Sequence, residues 1–493
     1  MRISNVTKEA APIRKRLFVF CDGTWQDALN GKRPPTNVVT LARCIEGVAD
    51  DNYLQVVYYD NGVGNATNLY ARLVEGATGR GMSSKIRNAY SFLSHNYNFD
   101  NEGDEIFLIG YSRGAFAVQC LASFISDTGL LHKRYLYYLR GLFKLWANRD
   151  LTPICHPGKT PLKSKLERHV RDFQAEKLLS KVKIKACVVW DTVSNLGLPT
   201  PWAKPLSFVG GVIPQGVENA FQALALDETR AQFKPCVWNA KEASSTYAKQ
   251  CWFLGSHADV GGNGDAALGA VALIWIIGQL QEISGVTFNQ DEIMKHLKHR
   301  LLEWDVDVNP ILGKFKQTTV LSRRSSLGLS TKSSPLWWLS GFKRRQLDIG
   351  FGHDQSNLES LKLVHFTVRL SMFQDRNTCR VLVKWGTKME NDGRVYWKRC
   401  NGTLVEDTLQ GNDADPGHEY AILKDWCNSH PPLLRTDRSR FAARLQALTY
   451  DPEEGMESRL GLFAELLRYR MIFDEDNLLA PESMYRPLAR WME

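Results

Sequence analysis

The apolar run Ile106-Phe107-Leu108-Ile109 breaks abruptly at Gly110-Tyr111-Ser112-Arg113-Gly114. That break constrains the chain more than any other feature. A short run of β-branched and aromatic residues reads as a buried parallel strand. Beyond it Ala115, Phe116, Ala117, Val118, Leu121, Ala122, Phe124 and Ile125 continue at helical spacing until Thr128-Gly129. A Gly-x-Ser-x-Gly motif on such a strand-to-helix turn lifts its serine above the sheet edge as a nucleophile. The flanking positions must be small because the turn brings backbones close together. The pattern also recurs by chance, and a tight turn in some other α/β protein would look alike. The strand and the helix on either side are what favour the hydrolase reading.

Strand candidates at Leu17–Asp22, Leu54–Asp60, Glu105–Gly110, Val182–Asp191 and Gln250–Gly255 alternate with helical stretches near Val38–Val48, Ser83–Asn98, Arg113–Ser126 and Ala266–Ile283. A weaker strand is read at Pro235–Asn239. This alternation predicts an α/β fold of the α/β-hydrolase type, a mostly parallel sheet with helices on both faces. The expected organisation is an N-terminal tail over 1–14 and a catalytic domain over 15–305. Within that domain, residues 130–181 form an insertion that fits either a lid or an ordinary helical excursion. A basic, Ser- and Trp-containing loop over 306–346 follows. Residues 347–493 form an irregular α+β C-terminal region, either a separate domain or an elaboration of the first.

With 493 residues, 44% of them apolar, the chain can bury a large core. The ten cysteines include no C-x-x-C pair, and Cys21, Cys187 and Cys251 lie inside strand-like runs. They read as buried thiols rather than a disulfide framework or a zinc site, and no metal or other cofactor is expected. The first residues lack the apolar core of a secretory signal, and the longest apolar stretch, Leu268 to Ile277, is too short for a membrane span. A soluble, cytoplasmic protein is the expectation. The formal charge of +9 is uneven: Gly313 to Gln346 holds eight Lys or Arg and no acid, beside Trp337, Trp338 and Phe342. Such a segment suits peripheral contact with an anionic membrane, although a solvated loop with inward-packed aromatics is the favoured reading. No recognised module argues for nucleic acid. The oligomeric state is not readable.

An α/β-hydrolase orders its triad Ser, then Asp or Glu, then His, from loops at the carboxyl ends of successive strands. The last strand of the alternation runs into Gly255-Ser256-His257-Ala258-Asp259, so His257 falls where the base belongs. Asp191, ending the strand after the elbow, is the first choice of acid, with Asp227 and Glu242 as alternatives. Asp259, two residues from the base, is better read as a helix cap. An oxyanion hole needs two backbone N–H groups. One is assigned to Arg113 and the other to Gly23 or Thr24, in the loop after the strand Leu17–Asp22. Asp22 is read as tying that loop together.

Cys21-Asp22-Gly23-Thr24-Trp25, Gly110-Tyr111-Ser112-Arg113-Gly114-Ala115, Trp190-Asp191-Thr192-Val193 and Gly255-Ser256-His257-Ala258-Asp259-Val260-Gly261-Gly262 occur in that order. Together they resemble the α/β-hydrolase family that includes the catalytic domain of bacterial type VI secretion phospholipase effectors. The resemblance covers about residues 15–285 and implies an ester-cleaving triad on Ser112, Asp191 and His257. Leu363-Val364-His365-Phe366-Thr367-Val368-Arg369 resembles a segment of stand-alone, largely fungal members. Asn263 departs from the family's longer glycine run. The expected activity is therefore cleavage of a carboxylic ester, whether of a small molecule, a lipid or a phospholipid, through an acyl-enzyme. The competing reading is a silent binding scaffold on the same fold. A dinucleotide oxidoreductase is disfavoured, because neither Gly62-Val63-Gly64 nor Gly76–Gly81 completes a G-x-G-x-x-G opening a helix.

Overall fold

In the computed structural model, strand β3 (Glu105–Tyr111) occupies a central position in a mostly parallel sheet, with β1 (Lys15–Cys21) on one side and β6 (Ile184–Trp190) on the other. The structure describes residues 13–23, 35–61, 80–100, 103–150, 162–193, 211–230, 233–238 and 246–289, together with residues 206, 208–209 and short stretches from 291 to 407. Outward from β1 lies β2 (Leu54–Asp60), and outward from β6 lie β7 (Val217–Ala225) and β8 (Tyr247–Phe253), all parallel. The order β2-β1-β3-β6-β7-β8 reverses direction between β1 and β3. In open α/β sheets the crevice at such a reversal, outside the carboxyl ends of the strands, is where ligands bind. Ser112 follows β3 and Asp22-Gly23 follows β1, so both stand at that crevice.

Side chains alternate across the sheet. Phe18, Phe20, Phe107 and Ile109 pack toward helices α1 (Asn37–Arg43) and α7 (Ala266–Ile283). Leu17, Val19, Ile106 and Leu108 pack toward α2 (Arg80–Asn96) and α3 (Arg113–Thr128) on the other face. Strands buried on both faces read as continuous apolar runs, which is the pattern of β1 and β3. The thiols of Cys21, Cys44, Cys120, Cys187 and Cys251 are buried and form no disulfide. Burial pushes those of Cys21 and Cys187 up to about 12.

Among the described residues, the insertion after α3 holds the two-stranded pair β4 (Leu130–Leu131) and β5 (Leu179–Ser180), a 3-10 turn at Lys133–Tyr138, α4 (Leu139–Ala147) and α5 (Leu162–Ala175). Its aromatics anchor it to the end of α3 remote from Ser112. Phe143 meets Phe124 edge-on at 5.3 Å, and the Trp146 indole N–H donates to Asp127 at 2.7 Å.

Two strand assignments change. Pro235–Asn239 forms no strand: Pro235 makes a single bridge to Val193, and Asn239 lies outside the described residues. The strand neighbouring β6 is instead β7, whose sequence VENAFQALA lacks β-branched residues after Val217. Beyond residue 305, β9 (Leu363–His365) pairs parallel with β8, and β12 (Gly402–Asp407) pairs parallel with β9. Strands β11 (Val395–Arg399) and β10 (Gly386–Met389) follow antiparallel, giving ten strands in one sheet among the described residues. The pieces from 363 to 407 thus extend the sheet of the first 305 residues. Trp275 on α7 ties the two together by donating to Asp407 at 2.7 Å.

Candidate active site

Ser112 sits at φ 58° and ψ −121°, in left-handed territory that residues with a side chain rarely occupy. Two contacts hold it there: its N–H donates to Trp190 O at 3.0 Å, and its C=O accepts from Val193 N–H at 3.4 Å. The glycines of the motif follow from the same geometry. A Cβ on Gly114 would stand 2.1 Å from Cys21 O, and one on Gly110 would stand 2.7 Å from Ala115 Cα. Neither position tolerates any side chain, so the helix can cross β1 only where glycine is present.

His257 opens the four-residue helix α6 (His257–Val260) after β8, and its ring reaches back to the elbow. Nε2 lies 2.8 Å from Ser112 Oγ, and Nδ1 lies 2.6 Å from Asp191 Oδ2. A carboxylate facing Nδ1 places the neutral imidazole's proton there and leaves Nε2 free to accept from the serine hydroxyl. Ser112, His257 and Asp191 are all buried. Asp191 follows β6 directly, at φ 40°, and its Oδ1 accepts the Ala225 N–H at 3.0 Å.

The other acids have different neighbours. Asp227 pins the β7 and β8 ends together, donating its N–H to Gly255 O at 2.9 Å and accepting Gly255 N–H at 3.1 Å. Glu242 lies outside the described residues. Asp259 accepts from the Ser256 N–H and hydroxyl, both at 2.7 Å, and from Asp265 N–H just ahead of α7. It therefore caps α6 and the start of α7.

Of the oxyanion candidates, Arg113 N–H stands in the first turn of α3, where amides have no intrahelical acceptor. Gly23 comes close to the serine: a Cβ there would lie 3.3 Å from Ser112 Cβ. Its N–H, however, donates to Asp22 Oδ1 at 2.6 Å. Thr24 lies outside the described residues. Asp22 also accepts from the Thr36 and Tyr59 hydroxyls, each at 2.8 Å, so it does knit this loop together. Burial raises its carboxyl above the ordinary range, with those hydrogen bonds opposing. Burial also brings the Arg113 guanidinium down to about 10.

Four residues not singled out from sequence complete the surroundings. Tyr111 stacks on the His257 ring at 4.8 Å, and its hydroxyl donates to His257 O at 3.0 Å. Glu228 accepts the His257 N–H at 3.3 Å and is forked by Arg230 at 2.8 and 2.9 Å. Burial pushes Glu228 up, but Arg230 outweighs it and holds the carboxyl below its ordinary range. Arg345 spans both oxygens of Asp191, with Nη1–Oδ1 at 3.0 Å and Nη2–Oδ2 at 2.8 Å. This corrects the reading of residues 306–346 as a solvated or membrane-facing loop at one position, since the Arg345 side chain is only 3% exposed. The rest of that stretch, and with it the proposed membrane contact through 313–346, lies outside the described residues. Burial alone would raise the Asp191 carboxyl, yet the charge of Arg345 and the bond from His257 reverse this and hold it at about 2.

The family model described as "T6SS, Phospholipase effector Tle1-like, catalytic domain" matches residues 15–279. The chain belongs to this Tle1-like family. The match runs from β1 into α7 and so contains Ser112, Asp191 and His257. The uncharacterized protein YEL023C of Saccharomyces cerevisiae is 25% identical over 234 residues, which cover 45% of this chain and 32% of that protein. The chain thus spans about a third of the length of that relative. Among solved structures, the Tle1 effector bound to the VgrG spike of the type 6 secretion system is 16% identical, with a TM-score of 0.28. That match covers 51% of this chain and 52% of the effector. An uncharacterized protein from Pseudomonas aeruginosa is 14% identical at a TM-score of 0.29, covering 61% and 55% of the two chains. Among the described residues no helix is long and apolar enough to cross a membrane, and no group of His, Cys, Asp or Glu is arranged to hold a metal ion.

Proposed function

We propose that the chain is a serine hydrolase that cleaves the carboxylic ester of a lipid through an acyl-enzyme, with phospholipid the substrate class suggested by its family. The observation that carries this reading is the continuous hydrogen-bonded line from Ser112 Oγ through His257 to Asp191, at 2.8 and 2.6 Å. Ser112 Oγ attacks the ester carbonyl carbon while His257 Nε2 takes its proton. The Arg113 N–H at the α3 N-terminus faces the oxygen that becomes negative. As the tetrahedral intermediate collapses, the C–O bond to the alcohol breaks and His257 returns the proton to that leaving oxygen. Water then repeats the sequence on the acyl-serine, releasing the acid and restoring Ser112. Asp191 fixes the imidazole tautomer and stabilises the imidazolium that forms in both halves.

A fluorophosphonate probe tests the proposal, since it phosphonylates a serine activated in this manner far faster than an ordinary hydroxyl. The expected result is covalent labelling of the folded wild-type chain and none of Ser112→Ala. A folded wild type that resists labelling would leave the hydrolase fold serving as a binding scaffold.

A further inference from the structure

Asp191 is enclosed on every side by donors. Oδ1 accepts from Ala225 N–H and Arg345 Nη1, and Oδ2 accepts from Arg345 Nη2 and His257 Nδ1. A carboxylate offers about four lone-pair sites, so its capacity is filled. The Asp191 side chain is wholly buried, and a buried carboxylate persists as the anion only when paired and hydrogen-bonded. His257 and one backbone amide supply half of the four bonds. The other half comes from a residue 154 positions further along the chain.

We infer that Arg345 is a positioning residue of the Ser112–His257–Asp191 triad, setting the plane of the Asp191 carboxylate and balancing its charge. The inference rests on the triad reading proposed above. A guanidinium forked across both oxygens fixes the rotation of the carboxyl group, because two parallel N–H···O bonds define its plane. Oδ2 is then presented to Nδ1 in one orientation, and the imidazole ring is aimed at Ser112 Oγ.

The charge argument follows from the groups that face His257. Asp191 and Arg345 stand at its Nδ1 edge, and Glu228 with Arg230 stand at its backbone N–H. Tyr111 covers one face of the ring, and Phe233 meets it edge-on at 4.7 Å. Asp22, beyond Tyr111, is bound to Thr36, Tyr59 and Gly23. Asp191 with Arg345 and Glu228 with Arg230 thus form two ion pairs against the base, each cancelling its own charge. Removing Arg345 alone leaves one uncompensated negative charge beside the ring, which favours the imidazolium and takes the base out of service at higher pH.

The test measures the rate constant of fluorophosphonate labelling against pH, from about pH 5 to 9, on the full chain, normalised to the fraction of protein finally labelled. Wild type is compared with Arg345→Gln, Arg345→Met and Arg345→Lys. In the Gln and Met variants the acid limb of the profile should move up by about one pH unit. In the Lys variant the limb should stay near its wild-type position while the rate falls about tenfold, because a point charge cannot fork across two oxygens. A purely structural role would lower the labelled fraction without moving the limb. A Gln variant whose limb coincides with wild type overturns the inference and leaves the triad standing. A folded wild type that is not labelled at any pH overturns the triad reading itself. Should neither neutral variant be recovered folded, Arg345→Lys decides: an unchanged rate per labelled site overturns the inference, and the tenfold fall supports it.

Discussion

The nucleophile end of the site and the acid end are built in opposite ways. Ser112 takes its turn mainly from its own neighbours in sequence, since β3, two glycines and the first turn of α3 lie within residues 105–128, and only its backbone is pinned from afar, by Trp190 and Val193. Asp191 is held by parts drawn from across the chain, namely Ala225, His257 and Arg345. At the first end sterics decide, because Gly110 and Gly114 have no room for a Cβ and the backbone must take the strained turn. At the second end charge decides, because a buried carboxylate is kept ionised by a cation from far away. A locally built element is fragile to a change of shape, and an assembled one to the loss of any single partner.

The largest effect should come from the acid end. Asp191→Asn keeps the shape but loses the charge and the tautomer control, so fluorophosphonate labelling should slow about ten-thousand-fold. A fall of less than about tenfold would mean that Asp191 holds structure rather than the base. Next comes Gly114→Ala, whose methyl would press on the carbonyls of Cys21 and Asp22. Because backbone cannot yield as a side chain can, about 3 kcal/mol of stability should be lost in urea titrations. An unaffected midpoint would show that the crossing of α3 over β1 has slack. A smaller effect concerns acid stability. Asp191 is held at about 2 against an ordinary 3.8, so its stabilising contribution is full above the unfolded value and fades as pH falls from there through about 2. In Arg345→Gln the folded value should lie closer to the unfolded one, so the fading should still begin near the unfolded value but end at higher pH and be smaller, read from urea midpoints across an acid series. The smallest expected effect is none: iodoacetamide at neutral pH should leave Cys21 and Cys187 unmodified in the folded chain, since both thiols are buried with pKa values near 12. Rapid alkylation at either position would show that the sheet opens there.

What can be read from sequence divides along the same line. The elbow is legible because its determinants are contiguous: an apolar run, two glycines two residues from a serine, and a helical period. Helix α7, Ala266–Ile283, is equally plain, because its apolar run from Leu268 to Ile277 is longer than an ordinary buried strand and suits a buried helix. Strand β7 is illegible for a physical reason. Ala220, Ala223 and Ala225 lie between neighbouring strands in a sheet buried on both faces, and alanine carries no strand preference to announce it. The β-favouring residues of Pro235-Cys236-Val237-Trp238 mislead in the opposite sense: they run along the sheet edge, where Cys236 N–H donates to Thr192 O. Arg345 is the hardest to foresee. It ends a stretch of eight cations, and nothing local marks which of them turns inward. Glu228 and Arg230 pair two residues apart, a spacing that carries no signal until the strand before them is recognised.

Tyr111 precedes the nucleophile in the chain, yet it stacks on the base, bonds the base's carbonyl and fills the space against Gly261, where a Cβ would stand 2.2 Å from its ring. The serine and the histidine are thus joined twice, by the hydrogen bond between them and by a ring rooted in the serine's own strand. A flexing of the sheet that shifted β3 would carry the imidazole along with it. The spacing between Ser112 and His257 thus depends on where β3 lies in the sheet as much as on the hydrogen bond between the two.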